Sequence, residues 1–267
     1  MTTQSRELLS YDGYLFDLDG TIYRGERLLP GAKDVIETLE RLGKRFGFLS
    51  NKPIQTRGQY AAKLTRLGIP TPDDRVINSS LVMARYLARE QPGAKVYAIG
   101  ELPLIQDLEA AGLRFTEDPA QIEWVVAAFD RTFDYRKLNI AMQAIKRGAR
   151  FVATNPDRTC PMEDGEIPDA AGMIAAVEAV TQKKCELIVG KPSPIMARTG
   201  LELIGVPPER ALMVGDRLET DIVMGREAGM ATALVLTGVT TREALEASDV
   251  WPDHVLESVG DLIATRS

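Results

Sequence analysis

Residues 13–21 read GYLFDLDGT, an apolar run that becomes acidic and then reaches a glycine. The apolar side chains at 14–16 are typical of a buried strand, and Gly20 marks the turn that follows it. Alternate side chains of a strand point the same way, so Asp17 and Asp19 are expected on one side of the chain. A strand that ends in paired carboxylates therefore provides the starting point for both the fold and the chemistry.

The rest of the chain alternates strand-like runs with stretches of helical period. Strands are predicted at 14–16, 46–49, 95–99, 124–129, 150–153, 187–189, 211–214 and 231–236. Helices are predicted at 32–43, 56–67, 80–90, 103–112, 136–148, 172–182, 194–204 and 218–228. This alternation predicts an α/β fold with a doubly wound, Rossmann-like parallel sheet and right-handed crossovers. Ligands of such sheets bind beyond the carboxyl ends of the strands.

The composition excludes several classes of function. The 267 residues contain 32 Lys and Arg against 38 Asp and Glu, and the net charge of −6 argues against nucleic acid or an anionic membrane as a partner. No apolar run approaches the ~20 residues of a membrane helix, and the N-terminus does not resemble a secretory signal, so a cytoplasmic location is expected. Two cysteines, Cys160 and Cys185, and one histidine, His254, argue against disulfide scaffolds, Cys- or His-rich metal clusters and histidine-assisted nucleophiles.

Polar clusters follow four of the predicted strands. They are DLDGT at 17–21, SNK at 50–52, GKP at 190–192 and GDR at 215–217, with Asp221 one helical turn after the last. Each cluster alone is explained by a turn, a helix cap or a loop. Four together, at the edge where a doubly wound sheet binds its ligands, indicate a single active site.

The residue types in these clusters favour phosphoryl chemistry. Several carboxylates that converge without histidine repel one another unless a cation lies among them, and ligation by oxygen alone with room for water selects Mg²⁺. Ser50, Lys191 and the amides after each strand add hydrogen-bond donors and positive charge, which suit the oxygens of a phosphoryl group. Two nearby carboxyls such as Asp17 and Asp19 can also divide acid and base roles between them.

The four clusters, in this order, resemble the motifs of the haloacid dehalogenase-like hydrolases, specifically of their phosphatases. GDRLETDI at 215–222 is similar to the GDxxxTDI of the nitrophenylphosphatase-like and N-acetylglucosamine-operon-type branch, and ATNPD at 153–157 and LTGV at 236–239 also resemble it. The likeness spans roughly residues 10–262. Many members have Thr-Asn-Asn and Pro-Gly-Ala-Gly where this chain has SNK at 50–52 and PDAAG at 168–172, and both variants look like the sugar-phosphate phosphatases of arabinose-utilisation operons.

The spacing of the motifs predicts two domains. Only 33 positions separate Asp17 from Ser50, which is enough for one helix and one strand, whereas 141 positions separate Ser50 from Lys191. The excess predicts an inserted α/β cap at about 80–182, and the resemblance implies that this cap determines substrate specificity. The catalytic core is then discontinuous, at 1–79 and 183–267.

The resemblance implies a role for each motif residue. Asp17 would be the nucleophile that forms an aspartyl-phosphate, and Asp19 the general acid and then the general base. Mg²⁺ would be held by the Asp17 side chain, the Asp19 backbone carbonyl and Asp216, with Asp221 binding directly or through water. The phosphate-binding set would be Ser50, Asn51, Gly20 and Lys191, and Lys191 would also act as a catalytic residue by balancing charge at Asp17.

The leading interpretation is a Mg²⁺-dependent phosphatase of a small phosphorylated metabolite, a sugar or polyol phosphate. Other small metabolites remain open as substrates (glycerol phosphate, pyridoxal phosphate or a nucleotide), as does a catalytically silent sugar-phosphate-binding protein. The presence of both the DxD and the GD…D motif argues against a haloalkanoate dehalogenase. The short spacing between Asp17 and Ser50 argues against a phosphomutase. The carboxyl group of Asp19 argues against a signalling phospho-acceptor. In the resembled branch a cap loop, here 156–168, reads the leaving group. Relatives also include dimers formed through the cap, so the resemblance leaves a homodimer open.

Overall fold

The computed structural model describes residues 7–162 and 165–264. Within them the chain forms two compact units: the first unit comprises residues 7–50, 57–77 and 191–264, and the second comprises residues 51–56 and 78–190. The second unit is longer than the expected insertion of 80–182, because it includes the short segment after Ser50 and continues to Gly190.

The elements alternate along the chain as the sequence predicts. The strands are β1 (Gly13–Asp17), β2 (Tyr23–Arg24), β3 (Arg27–Leu28), β4 (Arg45–Ser50), β5 (Val76–Asn78), β6 (Lys95–Ile99), β7 (Arg114–Phe115), β8 (Trp124–Ala127), β9 (Arg150–Ala153), β10 (Thr159–Met162), β11 (Gly165–Pro168), β12 (Leu187–Ile188), β13 (Ala211–Gly215), β14 (Ala231–Val235) and β15 (His254–Leu256). The helices are α1 (Ala32–Arg41), α2 (Arg57–Arg66), α3 (Ser79–Glu90), α4 (Leu102–Ala110), α5 (Tyr135–Lys146), α6 (Ala170–Thr181), α7 (Pro194–Ile204), α8 (Val223–Glu227) and α9 (Arg242–Glu246).

The first unit is built on a six-stranded sheet in the order β15-β14-β13-β1-β4-β5. β1 lies between β13 and β4 and pairs with both in parallel. Residues 13–16 of β1 are all buried, as expected for a strand covered on both faces. The predicted α/β fold with a parallel Rossmann-like sheet is confirmed. Because β13, β1 and β4 are neighbours, the residues at their carboxyl ends belong to one edge of the sheet.

The second unit has its own five-stranded sheet in the order β12-β9-β8-β6-β7, and its neighbouring strands all pair in parallel. Apolar side chains of β6, β8 and β9 pack with those of α5 and α6 in one core. Two hairpins complete the fold: β2 and β3 pair directly after the first polar cluster, and β10 pairs with β11 within the predicted cap loop.

The structure corrects one strand assignment. The run 187–189 was expected to end in the same sheet as β1, but β12 pairs with β9 and belongs to the sheet of the second unit. A two-residue strand carries no periodicity that could identify its partner, so the sequence pattern alone could not distinguish the two sheets. Strands β2, β3, β5, β7, β10, β11 and β15 were not predicted, and each has only two to four residues.

Candidate active site

Three carboxylates of the first unit lie together at the carboxyl edge of its sheet. Asp17 is the last residue of β1, and Asp216 follows β13, the neighbouring strand. Asp221 lies in the π-helical turn Leu218–Ile222, which leads into α8. One oxygen from each carboxylate lies within 4.8 Å of the others, and both Asp216 and Asp221 are buried. The sequence-predicted acidic set is therefore brought together, except for the side chain of Asp19.

Glycines provide the space in which these carboxylates lie. A Cβ atom on Gly238 would lie 1.8 Å from Oδ2 of Asp216, and a Cβ on Gly215 would lie 2.3 Å from Cγ of Asp221. Gly20 has a φ of +92° and would also place a Cβ 2.6 Å from Oδ2 of Asp216. The conformation and the close approach both require glycine at position 20. Its N–H donates to the carbonyl of Tyr23, so in this structure Gly20 contributes space for Asp216 rather than a free donor.

Lys191 is the buried counter-charge of the site. Its side chain is 5% exposed, and Nζ forms ion pairs with Oδ1 of Asp17 and with Oδ1 of Asp221, the latter at 2.7 Å. The ammonium group thus joins the two carboxylates whose mutual repulsion it offsets.

Burial and repulsion change the proton affinity of these groups. Burial is the largest effect on the pKa of the Asp17 carboxyl and raises it. The positive charge of Lys191 lowers this pKa and the negative charges of Asp221 and Asp216 raise it, and the resulting pKa is about 8. Burial and the charge of Asp221 raise the pKa of Asp216 to about 6. Burial lowers the pKa of Lys191, but its ion pairs with Asp17 and Asp221 outweigh burial and raise it overall. One lysine therefore does not neutralise three neighbouring carboxylates, two of which are buried.

The donor set fits a hard divalent cation. Carboxylate oxygens are the ligands that Mg²⁺ prefers, and its octahedral shell, with oxygens about 2.1 Å from the metal, separates ligand atoms by about 3 to 4 Å. One oxygen from each of Asp17, Asp216 and Asp221 lies within 4.8 Å of the others, which is close to that spacing. Burial is the main cause of the raised pKa values of Asp17 and Asp216, and a cation there would offset the mutual repulsion of the carboxylates that adds to it.

The carboxylate of Asp19 is not one of the three in this cluster. Asp19 is exposed, follows β1 by two residues and forms an isolated bridge with Tyr23 at the start of the β2–β3 hairpin. The family resemblance of the sequence predicts that Asp19 binds a metal through its backbone carbonyl and not through its carboxylate. The positions of the side chains do not test this expectation, which stays a prediction.

The predicted phosphate-binding residues of the second cluster fall in different units. Ser50 ends β4, is buried and donates from Oγ to Oη of Tyr60 at 3.0 Å. Asn51 belongs to the second unit, where Nδ2 donates to Oδ2 of Asp157 at 3.0 Å. The backbone carbonyl of Asn51 accepts a hydrogen bond from Oγ of Ser79.

Sequence reasoning assigned no role to the loop after β14. The backbone N–H of Val239 donates to Oδ2 of Asp216 at 2.7 Å, and Oγ1 of Thr237 donates to the carbonyl of Gly20 at 2.7 Å. Arg24, on the β2–β3 hairpin, donates from Nη2 to the carbonyl of Thr237 at 2.6 Å. In the sequence, LTGV at 236–239 indicated only a resemblance to the family. Its Gly238 and Thr237 are nevertheless the residues through which this loop approaches Asp216 and Gly20.

Among the described residues, no helix combines the length and the apolar character needed to cross a membrane.

Family comparisons cover both ends of the chain. A sequence model described as haloacid dehalogenase-like hydrolase matches residues 14–114, and a second, related hydrolase model matches residues 188–262. These two segments contain every motif residue that forms the carboxylate cluster and its lysine.

Individual relatives match over almost the whole chain. The sugar-phosphatase AraL of Bacillus subtilis is 42% identical over 94% of this chain and 91% of its own length, and the 5'-nucleotidase YutF of the same organism is 36% identical over 95% and 98%. The crystal structure of a 4-nitrophenylphosphatase from Thermotoga maritima superposes with a TM-score of 0.91 at 38% identity, covering 96% of this chain and 97% of that one.

Proposed function

We propose that the chain, which belongs to the haloacid dehalogenase-like hydrolases and is one of their phosphatases, depends on Mg²⁺ and hydrolyses a sugar or polyol phosphate through an aspartyl-phosphate on Asp17. The observation that carries the proposal is the cluster of Asp17, Asp216 and Asp221, in which the buried ammonium of Lys191 pairs with Asp17 and Asp221. Carboxylates and a lysine at one sheet edge suit the charge that moves between oxygens when a phosphoryl group is transferred.

In the first step a carboxylate oxygen of Asp17 attacks phosphorus, and the bond from phosphorus to the leaving oxygen breaks. Asp19 gives its proton to that oxygen, so the leaving group departs as a neutral alcohol. Asp19 is exposed, which suits a group that meets a substrate arriving from solvent. Asp17 meanwhile becomes an acyl phosphate.

In the second step Asp19, now ionised, takes a proton from water. The water oxygen attacks phosphorus, the bond to the Asp17 oxygen breaks, and inorganic phosphate leaves with the carboxylate regenerated. Asp19 thus returns to its protonated state. Lys191 remains charged throughout, because its ion pairs hold its pKa above the ordinary value.

Asp17, Asp216 and Asp221 would hold the cation, together with the backbone carbonyl of Asp19. The bound metal would supply positive charge that reduces repulsion between Asp17 and the phosphate dianion. Ser50 would donate to a phosphate oxygen from the end of β4, in exchange for its hydrogen bond to Tyr60. Asn51 would orient the adjacent backbone, since its own amide is bonded to Asp157.

We assign substrate selection to the second unit, proposed from sequence as the insertion 80–182. Two observations support a hydroxylated leaving group. AraL, the relative at 42% identity, is named a sugar phosphatase. The start of the cap loop is also ordered by a polar network, in which Asp157 accepts from Asn51 and from Nδ2 of Asn155, and Asn155 also donates to the buried Asp169. Glu163 and Asp164 of this loop lie outside the described residues.

Hydrolysis of 4-nitrophenyl phosphate, followed by a panel of phosphorylated metabolites, tests the proposal. Multiple turnovers with Mg²⁺ and loss of activity in EDTA are expected. Asp17→Asn should abolish turnover while the thermal unfolding temperature remains that of a folded protein, because an amide is a poor nucleophile. A tenth of wild-type kcat in Asp17→Asn at saturating Mg²⁺ would exclude the covalent route.

The same panel decides between substrate classes. YutF is named a 5'-nucleotidase, so nucleoside monophosphates are the second candidate. A kcat/KM for nucleoside monophosphates above that for every sugar or polyol phosphate would reject the proposed substrate class and leave the phosphatase chemistry in place.

A further inference from the structure

Ser50 shares a hydrogen bond with a tyrosine of the same unit. Ser50 is the last residue of β4 and directly follows Leu49, the register partner of Asp17 on β1. Its Oγ lies 3.0 Å from Oη of Tyr60, a residue of α2, and both side chains are buried. The hydroxyl that the proposed function gives to the phosphate is therefore already engaged by a second hydroxyl.

Packing in the core of the first unit fixes the position of that tyrosine. Alternate residues of β4 point to one side of the sheet, which places Ser50 in line with Phe46 and Phe48. Both phenylalanine rings belong to the hydrophobic core that also contains Tyr60. Tyr60 and Leu64, one turn apart on α2, are buried in this core. A ring packed in this way holds its hydroxyl at one place.

Contacts with the β2–β3 hairpin anchor the same helix. Nζ of Lys63 lies 3.9 Å from the centre of the Tyr23 ring and 3.6 Å from Oε1 of Glu26, which lies in the turn of the hairpin. Arg66 also pairs with Glu26. Because β2 begins two residues after the DLDGT cluster, these contacts tie α2 to the segment that carries the reacting carboxyl groups.

The single proton of a serine hydroxyl determines what Tyr60 can contribute. When Oγ of Ser50 donates to a phosphate oxygen, it no longer donates to Oη and keeps only its acceptor lone pairs for Tyr60. A tyrosine hydroxyl both donates and accepts, so Oη can donate to Oγ in return across the same 3.0 Å. Hydrogen bonds that run in one direction polarise one another, which strengthens the last one toward a charged acceptor.

We propose that Tyr60 is a positioning residue that acts through Ser50: its hydroxyl holds Oγ in place in the free enzyme and donates to Oγ when Ser50 donates to phosphate. The inference rests on the proposed function and adds a residue to its phosphate site. Phenylalanine at position 60 would preserve the packing of the ring and remove this donor. The expected loss of affinity for phosphate is about three- to tenfold, the size of one neutral hydrogen bond.

The experiment is a double-mutant cycle of Tyr60→Phe and Ser50→Ala, measured as the inhibition constant of inorganic phosphate against hydrolysis of 4-nitrophenyl phosphate. Ser50→Ala should weaken inhibition about 10- to 100-fold, because a hydrogen bond to a charged group is lost. Tyr60→Phe should weaken inhibition about three- to tenfold in the wild-type background but less than about twofold in the Ser50→Ala background. A merely structural disturbance would act in both backgrounds, so the difference identifies a residue that acts through Ser50.

Tyr14→Phe is the matched control. Tyr14 is also buried in the first unit, but its hydroxyl donates at 2.8 Å to the carbonyl of Leu8, before the amino end of β1. Its substitution should leave the inhibition constant unchanged in both backgrounds. Circular dichroism shows whether each variant is folded, and Tyr60→Met replaces Tyr60→Phe if the latter does not fold.

Three outcomes would overturn the inference and leave the phosphatase chemistry intact. The first is an equal effect of Tyr60→Phe in both backgrounds, and the second is an inhibition constant that either Ser50→Ala or Tyr60→Phe leaves at the wild-type value. The third is a loss of phosphate affinity in Tyr14→Phe as large as that in Tyr60→Phe. No turnover of any phosphomonoester by the wild-type protein would instead overturn the proposed function itself.

Discussion

Replacing Gly238 with alanine would test whether the loop after β14 fixes the position of Asp216. The new Cβ would lie 1.8 Å from Oδ2 and 2.3 Å from Cγ of that carboxylate. Carbon and oxygen atoms in ordinary contact are about 3.4 Å apart, so the carboxylate or the loop must move by about 1.5 Å. The move would also break the hydrogen bond at 2.7 Å from the N–H of Val239.

A displacement of about 1 Å at a catalytic group can cost about 100-fold in rate, so we expect Gly238→Ala to lower kcat/KM for 4-nitrophenyl phosphate at least 100-fold. The Mg²⁺ concentration for half-maximal activity should rise as well, because Asp216 belongs to the carboxylate cluster. Gly172→Ala is the matched control: it lies in α6 with open space around it, and alanine is favoured there by up to ~1 kcal/mol.

The assay is a Mg²⁺ titration of steady-state activity, with circular dichroism to show that each variant is folded. Retention by Gly238→Ala of at least a third of wild-type kcat/KM, with an unchanged Mg²⁺ requirement, would refute the argument that this glycine positions Asp216.

Three further predictions concern charge and specificity. Lys191→Ala should lower kcat about 10²- to 10³-fold, as expected when a preorganised charge is removed, and near-wild-type kcat would give Lys191 a purely structural role. In EDTA, the pKa of Asp216 is about 6 in the folded protein, compared with about 3.9 in the unfolded chain, so the folded state holds this proton more tightly. The free energy of unfolding should therefore fall by up to about 3 kcal/mol as the pH rises from about 4 to 6 and Asp216 ionises. Thermal unfolding of wild type and Asp216→Asn across that range measures this fall, and parallel curves for the two proteins would contradict it. Asp157→Ala should lower kcat/KM for the best sugar phosphate more than for 4-nitrophenyl phosphate, because Asn51 and Asn155 lose a shared acceptor; a constant ratio of the two values would remove the cap loop from substrate selection.

The sequence by itself determined the α/β class and the position of most of the site. Asp17, Ser50 and Asp216 each end or follow a strand whose apolar run is visible locally, and parallel sheets bring such ends to one edge. Their residue types alone indicated oxygen ligation and phosphoryl chemistry. These inferences needed only local patterns and a general rule about sheets.

The tertiary structure decided which strands are neighbours and which side chains meet. β12 carries no sequence signal for its partner, and only its pairing with β9 shows that the chain reaches Lys191 from the second sheet. The approach of Gly238 to Asp216 and the pairing of Glu101 with Arg131 likewise join residues far apart in sequence. Periodicity reports whether a residue is buried or exposed but not what it contacts, because contacts between distant segments depend on how the whole chain packs.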